Sequence, residues 1–231
     1  MCHVMPFPDL ADRVAEVRER IAAAVARGGH GQQVTLVAVT KTYGADAVSS
    51  AWESGIRDVG ENRVQEALSK MDAVDVPVRW HLIGHLQRNK AKAVDRFDLV
   101  HSVDSSRLAD AVARVGAERG RPVRGLMQVN VSGEEAKGGL SASEAEAEAE
   151  RWLALQGLRV EGVMTMAPLD ADERTLRSTF GGARRVREML ANRGHPASEL
   201  SMGMSNDYEM AVEEGATIVR LGTVLFGARP A

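Results

Sequence analysis

Val34-Thr-Leu-Val-Ala-Val-Thr40, followed directly by Lys41, is the stretch that decides how this chain is read. Its residues are apolar or β-branched throughout, which fits a strand buried on both faces of a parallel sheet. In α/β proteins the chemistry sits beyond the carboxyl ends of such strands, and Lys41 stands at that end. An amine held among apolar neighbours loses solvation, its pKa falls, and it becomes a nucleophile toward aldehydes. The plainer reading is a lysine that snorkels out of a strand end into water. The rest of the chain decides between the two.

Outward from this run, short apolar strands alternate with helices to the carboxyl end. The strand candidates are 34–40, 56–60, 78–83, 99–102, 125–130, 160–166, 199–202 and 217–221. Helical patterns fall near 45–54, 62–73, 87–95, 105–118, 141–154, 172–192 and 206–214. An earlier helix runs from about 9 to 27, where Leu10, Val14, Val17, Ile21 and Val25 recur at spacings of three and four and Gly28-Gly29 ends it. Ser141 with Glu144, and Asn206 with Glu209, have the spacing of a capping box. The alternating Ser143–Glu150 segment reads as a solvated helix face, since Ala and Glu both favour helix.

Eight strands with seven intervening helices predict an α/β fold, a single (β/α)₈ TIM barrel over residues 1–231. A doubly wound open sheet is the alternative, but it rarely needs eight units in so short a chain. Ten residues follow the last strand, too few for a full eighth helix, so the extra amino-terminal helix is expected to cover that gap in the outer ring.

Composition narrows the function classes. A formal charge of −3 supplies no basic field for nucleic acid or an anionic membrane surface. Cys2 is the only cysteine, so no internal disulfide forms. The start lacks a basic segment followed by an apolar one, and no run reaches the roughly 18 apolar residues of a membrane span. A soluble cytoplasmic protein is expected.

On a barrel, the polar residues at strand ends share one rim: Lys41, Glu61, Asn62, His81, Gly84, Ser102, Asn130, Thr165, Ser201, Gly203, Arg220, Gly222 and Thr223. The most specific local pair is Leu200-Ser-Met-Gly-Met-Ser-Asn-Asp207 with Val219-Arg-Leu-Gly-Thr223. Small and hydroxyl residues after strands seven and eight suit a phosphate, which accepts hydrogen bonds from backbone N–H groups. Ordinary tight turns would use the same residues. A lysine nucleophile beside a phosphate cup describes two ligands, pyridoxal 5′-phosphate or a sugar phosphate held by a Schiff-base aldolase. Arg220 discriminates, because a fixed guanidinium near a pyridine nitrogen disfavours its protonation; a salt bridge on the rim is the simpler role.

Other signals carry less. His81 and His85 are four apart, but Leu82 stands where the zinc-protease pattern has glutamate, so no metal site is expected. Dinucleotide and nucleoside triphosphate loops are absent from the sequence. Lys137 is a candidate second amine in the loop after strand five. Met164, Met166, Met202 and Met204 are expected to pack around whatever fills the barrel mouth.

Taken together, several segments carry a family pattern: Ala38-Val-Thr-Lys-Thr42, Gly60-Glu-Asn-Arg-Val-Gln-Glu66, His81-Leu-Ile-Gly-His-Leu-Gln-Arg-Asn-Lys90, Gln128-Val-Asn-Val-Ser132 with Lys137-Gly138, Gly162-Val-Met-Thr-Met166, Leu200-Ser-Met-Gly-Met-Ser205, and Val219-Arg-Leu-Gly-Thr223 with Phe226-Gly-Ala-Arg229. The chain thereby resembles the pyridoxal phosphate homeostasis proteins, a group similar to the amino-terminal barrel of alanine racemase. The resemblance implies that Lys41 forms an internal aldimine with pyridoxal 5′-phosphate (PLP). It places Ser201, Gly222 and Thr223 around the phosphate and Arg220 at the pyridine nitrogen, with Gly203 a further cofactor-binding candidate. It sets Asn62, His81 and Met164 along the ring. Arg63 stands where tyrosine is common, His85 where proline is expected, and Asn206 where aspartate is usual, which bears on the shape of the mouth.

The function so implied is PLP storage, protection or delivery to PLP-dependent apoenzymes, by a monomer without efficient catalysis. A racemase of this barrel type takes a second base from an additional domain of a partner subunit. This chain has only Tyr43 and Tyr208 as tyrosines. A PLP-dependent racemase of low activity is the alternative.

Overall fold

The computed structural model describes residues 7–134 and 138–227. Eight parallel strands close into a barrel in chain order, each paired with its sequence neighbours and β1 with β8. They are β1 (Thr35–Val39), β2 (Asp58–Glu61), β3 (Arg79–Leu82), β4 (Leu99–Val103), β5 (Val123–Gln128), β6 (Leu158–Met164), β7 (Glu199–Ser201) and β8 (Ile218–Leu221). The helices are α1 (Leu10–Gly28), α2 (Ala45–Glu53), α3 (Val64–Met71), α4 (Ser106–Glu118), α5 (Ala142–Leu153), α6 (Glu173–Asn192), α7 (Tyr208–Glu213) and α8 (Thr223–Phe226). A 3₁₀ segment, Arg88–Arg96, takes the helical place between β3 and β4. The barrel expected from the sequence is therefore present.

The amino-terminal helix behaves as expected. It buries Leu10, Val14, Val17, Ile21 and Ala24, with Val25 only half-buried, and Gly29 caps it in a left-handed conformation. It packs on α7 and α8, covering the gap left by the short last helix. Arg20 and Arg27 of α1 pair with Glu209 and Glu213 of α7. These exposed pairs orient the helix more than they stabilise it. The main core lies between the ring and the outer strand faces, with Ala38, Val59 and Leu82 of the barrel against Val48, Val112, Trp152, Phe180 and Leu190 of the helices. Fully burying one such large side chain contributes about 1.5–3 kcal/mol.

The inside of the barrel is divided. Val37, Leu99, Leu126, Met164 and Ile218 form a separate apolar cluster. Asp58, His81, His101, Ser201 and Arg220 are also buried, and hydrogen bonds join each to the next. A barrel normally fills its interior with layers of branched apolar residues. Here part of that volume is polar.

Two local expectations need correction. Residues 87–95 do not form an α-helix: only Ala91 and Val94 of the 3₁₀ segment are buried, and a spacing of three suits its three-residue turn. The capping box at Ser141 and Glu144 forms, but that at Asn206 and Glu209 does not. Asp207 precedes α7 instead, its Oδ1 accepting from the Met204 N–H at 2.6 Å. Among the described residues, no helix is long and apolar enough to cross a membrane.

Candidate functional site

Lys41 lies two residues past β1 on the carboxyl rim and is half-buried. A buried ionic cluster grips the chain on either side of it. Lys70 Nζ donates to Glu61 Oε1 at 2.7 Å, to Glu66 Oε1 at 2.8 Å and to the Thr40 carbonyl at 2.8 Å. Thr40 Oγ1 donates to the same Glu61 oxygen at 2.5 Å, and the Thr42 N–H to Glu66 Oε1 at 2.7 Å. Burial holds the Glu61 carboxyl above its ordinary range, although the bonds from Lys70 and Thr40 act against this. For Glu66 burial acts upward too, but the bonds from Lys70 and the Thr42 N–H outweigh it and hold the carboxyl low. Glu61, expected as a rim residue facing the site, is fully buried and turned to α3.

Thr42 adopts φ +71°, left-handed backbone that a β-branched residue enters at a cost of about 1–3 kcal/mol. The bond from its N–H to Glu66 fixes that turn directly after Lys41. Thr42→Gly is expected to stabilise the protein by about 1 kcal/mol in urea unfolding, because glycine takes this conformation without the Cβ penalty. A lower stability would show that the turn is not strained.

The loops after β7 and β8 adjoin this end. The register that pairs Ala38 with Leu221 sets Gly222 and Thr223 beside the end of β1. Ser205 Oγ accepts from the Val224 N–H at 3.3 Å, joining the two loops. Phe7, Tyr43 and Phe226 pack with ring centroids 5.1–5.5 Å apart, and Tyr43 donates its hydroxyl hydrogen to the Gly227 carbonyl. The lysine loop and the α8 loop are thus one packed unit.

The two glycines differ in why they are glycine. A Cβ on Gly203, at φ +93°, would stand 2.7 Å from the Ala211 Cβ and 2.9 Å from the Tyr208 Cα, so the approach of α7 demands it. A Cβ on Gly222 would meet only Val39, at 3.5 Å or more. Nothing among the described residues requires glycine there. The first amides of a helix have no carbonyl partner within it, which is what a phosphate needs, and Gly222 adds no side chain beside those of α8.

Arg220 is almost fully buried beneath this rim. Its Nη1 donates to Ser201 Oγ and its Nη2 to the Thr165 carbonyl at 3.0 Å. Burial pushes the guanidinium down to about 10, with Asp207 acting against it, so it is charged at neutral pH. Its other N–H groups have no hydrogen-bond acceptor among the described residues.

Three expected positions differ in detail. The hydroxyl of Ser201 is fully buried between Arg220 and His101, which suits an anchor for Arg220 and not a phosphate donor. His81 has both ring nitrogens engaged, by Asp58 and His101, inside the barrel. Ser102 turns to the Gly84 carbonyl, at 2.7 Å. Met164 is buried in the interior cluster and Asn62 is half-buried at the end of β2. Thr165 Oγ1 bonds the Val129 carbonyl, and Asn130 organises its own loop through Ser132, Gly133 and Glu134. His85 is exposed and pairs with Asp104, whereas His81 pairs with Asp58 and His101. No group of three or more His, Cys, Asp or Glu suited to a metal occurs among the described residues. Lys137 and Arg229 lie outside them.

Residues 13–230 match the sequence model of the alanine racemase N-terminal domain. The pyridoxal phosphate homeostasis protein of Pseudomonas aeruginosa is 41% identical over 223 residues, 95% of this chain and 96% of that one. That of Escherichia coli K12 is 36% identical over 230 residues, 96% and 97% of the two chains. The chain belongs to the pyridoxal phosphate homeostasis protein family.

The family fold is known from the PipY protein of Synechococcus elongatus, whose structure with PLP bound superimposes with a TM-score of 0.84 at 37% identity, covering 94% of this chain and all of that one. An alanine racemase from Corynebacterium glutamicum shares the barrel at 19% identity and a TM-score of 0.72, over 95% of this chain and 61% of the racemase. Sequence reasoning identified the family but passed over Asp58, His101, Lys70 and Glu66, which place and support the rim residues. For Asp58 and His101 the signal was a charged or imidazole group within a strand, whereas Glu66 and Lys70 lie on α3 and carried no such mark.

Proposed function

We propose that this protein, as a single barrel domain, binds pyridoxal 5′-phosphate and keeps it available to the cell, by storage, protection or delivery to apoenzymes. Lys41 holds the cofactor as a Schiff base. One observation carries the reading: Lys41 and the Gly222–Thr223 turn stand at adjacent strand ends, with the buried guanidinium of Arg220 on the same strand as that turn. An aldehyde, a phosphate and a pyridine nitrogen on one small molecule match those three groups. The PLP named in the related PipY structure supports the match.

Each residue has a defined task in this proposal. Gly222 and Thr223 offer backbone N–H groups, and Thr223 a hydroxyl, to the phosphate. Arg220 donates toward the pyridine nitrogen and, being positive, disfavours its protonation. PLP supplies a reactive aldehyde and, when its ring nitrogen is protonated, an electron sink. Arg220 weakens the second property and leaves the first. That combination favours holding the cofactor over turning substrates over with it. Asn62 and Met164 flank the ring, and His81 supports them from within the barrel.

Purified protein should show an absorbance band at about 420 nm that disappears on borohydride reduction. It should also restore activity to a PLP-dependent apoenzyme. A preparation that remains colourless after incubation with PLP would reject the reading. Substantial racemisation across an amino-acid panel would favour the low-activity racemase instead, and a sugar phosphate trapped on Lys41 the aldolase.

Gly222→Ala tests the phosphate end. The added methyl meets no protein atom closer than 3.5 Å, so the urea midpoint should stay near wild type. PLP affinity is expected to fall about tenfold, because the methyl occupies space assigned to phosphate oxygens. Unchanged affinity would move the phosphate elsewhere.

A further inference from the structure

An unbroken file of hydrogen bonds crosses the barrel interior from Asp58, at the start of β2, to Arg220 on β8. Asp58 Oδ1 meets His81 Nε2 at 2.9 Å, His81 Nδ1 meets His101 Nε2 at 2.8 Å, and His101 Nδ1 meets Ser201 Oγ at 2.8 Å. Arg220 Nη1 donates to the same Ser201 oxygen. No member of the file is more than 5% exposed. Its outer end reaches solvent through Arg79, whose Nε and Nη2 pair with the two Asp58 oxygens at 2.7 and 2.6 Å. Arg79 opens β3, so this end lies at the amino-terminal mouth, across the barrel from Lys41.

The two ends give the file a direction. A guanidinium only donates and a carboxylate only accepts. Burial raises the Asp58 carboxyl, but the hydrogen bonds from His81 and Arg79 outweigh it and keep the group ionised. Ser201 Oγ accepts from Arg220, so its own hydrogen goes to its other partner, His101 Nδ1. His101 then carries its proton on Nε2 and gives it to His81 Nδ1. His81 carries its proton on Nε2 and gives it to Asp58. Both imidazoles are neutral and of one tautomer. A file running the other way needs a doubly protonated His81 and leaves the Ser201 hydrogen without an acceptor, at a cost of about 1–3 kcal/mol. Neutral rings also add no second charge beside a guanidinium that burial already disfavours.

We propose that Asp58, His81, His101 and Ser201 form a directional relay that positions Arg220 for the pyridine nitrogen of the bound cofactor. This rests on the cofactor reading above and extends it from the rim to the whole barrel interior. Ser201 and the Thr165 carbonyl hold two arms of the guanidinium, so its remaining donors have a fixed aim. His101 and Asp58 act through that aim and are positioning residues.

Long-range ¹H–¹⁵N correlation spectra of histidine-labelled protein test the direction without any cofactor. His81 and His101 should both appear at neutral pH as the Nε2–H tautomer; an Nδ1–H tautomer or an imidazolium at either overturns the relay. Ser201→Ala and His101→Phe test positioning. PLP should dissociate about tenfold faster from each, the loss expected when a hydrogen bond to a charged group is removed. Borohydride should still trap PLP on Lys41. Ser201→Thr, which keeps the oxygen, should restore a rate near wild type. Should His101→Phe not fold, the Ser201 pair decides. Wild-type release rates from folded Ser201→Ala, with wild-type protein binding PLP normally, sink the relay alone. Failure of wild-type protein to bind PLP sinks the cofactor reading, and the positioning role with it.

Discussion

Replacing Lys41 with alanine is expected to remove the absorbance band at about 420 nm entirely and to prevent borohydride from fixing PLP to the protein. The amine is the only group here assigned a covalent bond to the cofactor, so no partial effect is expected on reductive labelling. Phosphate and ring contacts remain, and the variant should still bind PLP weakly and reversibly. Its spectrum should then be that of the free aldehyde. The protein itself should stay folded, since Lys41 is half-buried at a strand end and the Lys70 cluster grips Thr40 and Thr42 through groups that alanine leaves in place. Mass spectrometry of reduced, digested protein measures this directly. Retention of a reducible adduct at another lysine would show that the aldehyde has an alternative amine, and a wild-type band in Lys41→Ala would remove Lys41 from the site.

Much of the barrel was legible because its strands are short apolar runs with helices between them. The run around β1 states that pattern most clearly, and the closed sheet follows from repeating it eight times. Boundaries were less legible. Glu61 ends β2 although its polarity reads as loop, and the strand lies two residues later at its start and one later at its end than the expected 56–60. The 3₁₀ segment was misread because its polar residues gave helix and tighter turn the same appearance. α8 was missed because four residues show no periodicity.

For the site, the rim was legible and its support was not. Lys41, Gly222, Thr223 and Arg220 stand out because a strand end concentrates them. Ser201 was placed at the phosphate because sequence gives position along a strand without the direction of the side chain. It points into the barrel, where Arg220 and His101 share its oxygen. His101 and Asp58 are single polar residues in apolar strands, and only closure of the barrel brings them to His81. Lys70 looked like a surface residue on a helix. Its partner Glu61 is nine residues away in sequence but on the adjoining strand, so the pair became visible only with the packing of α3 on β2.

Lys70→Met should be the most destabilising of the substitutions considered, lowering stability by about 3–5 kcal/mol, the usual cost of leaving one charge of a buried pair behind. The Lys70 side chain is 7% exposed and that of Glu61 0%. Methionine fills similar space, but Glu61 Oε1 keeps only Thr40 as a donor, and its Oε2 has no partner among the described residues even with the lysine present. Glu61→Gln alone keeps an acceptor for Thr40 and removes the buried charge, so it should cost less. Combining it with Lys70→Met should recover much of the loss, because the only carboxylate then left without the ammonium is Glu66, which is partly exposed and keeps the Thr42 N–H. The pH dependence has a definite sign. Burial already raises the Glu61 carboxyl above its ordinary value of 4.5, and removing the ammonium raises it further. A carboxyl raised in the folded state binds more protons there than in the unfolded chain, so its contribution to stability is present below the unfolded pKa and is lost as pH rises through the folded one. The defect of Lys70→Met should therefore be small near pH 4 and full at neutral pH. Urea unfolding of the wild type, both single variants and the double variant at the two pH values measures it. A defect that is equal at both, or that the double variant does not relieve, would mean that lost packing and not stranded charge is responsible. In the expected case PLP affinity should fall along with stability, since the same ammonium holds the carbonyl of Thr40, the residue immediately before Lys41.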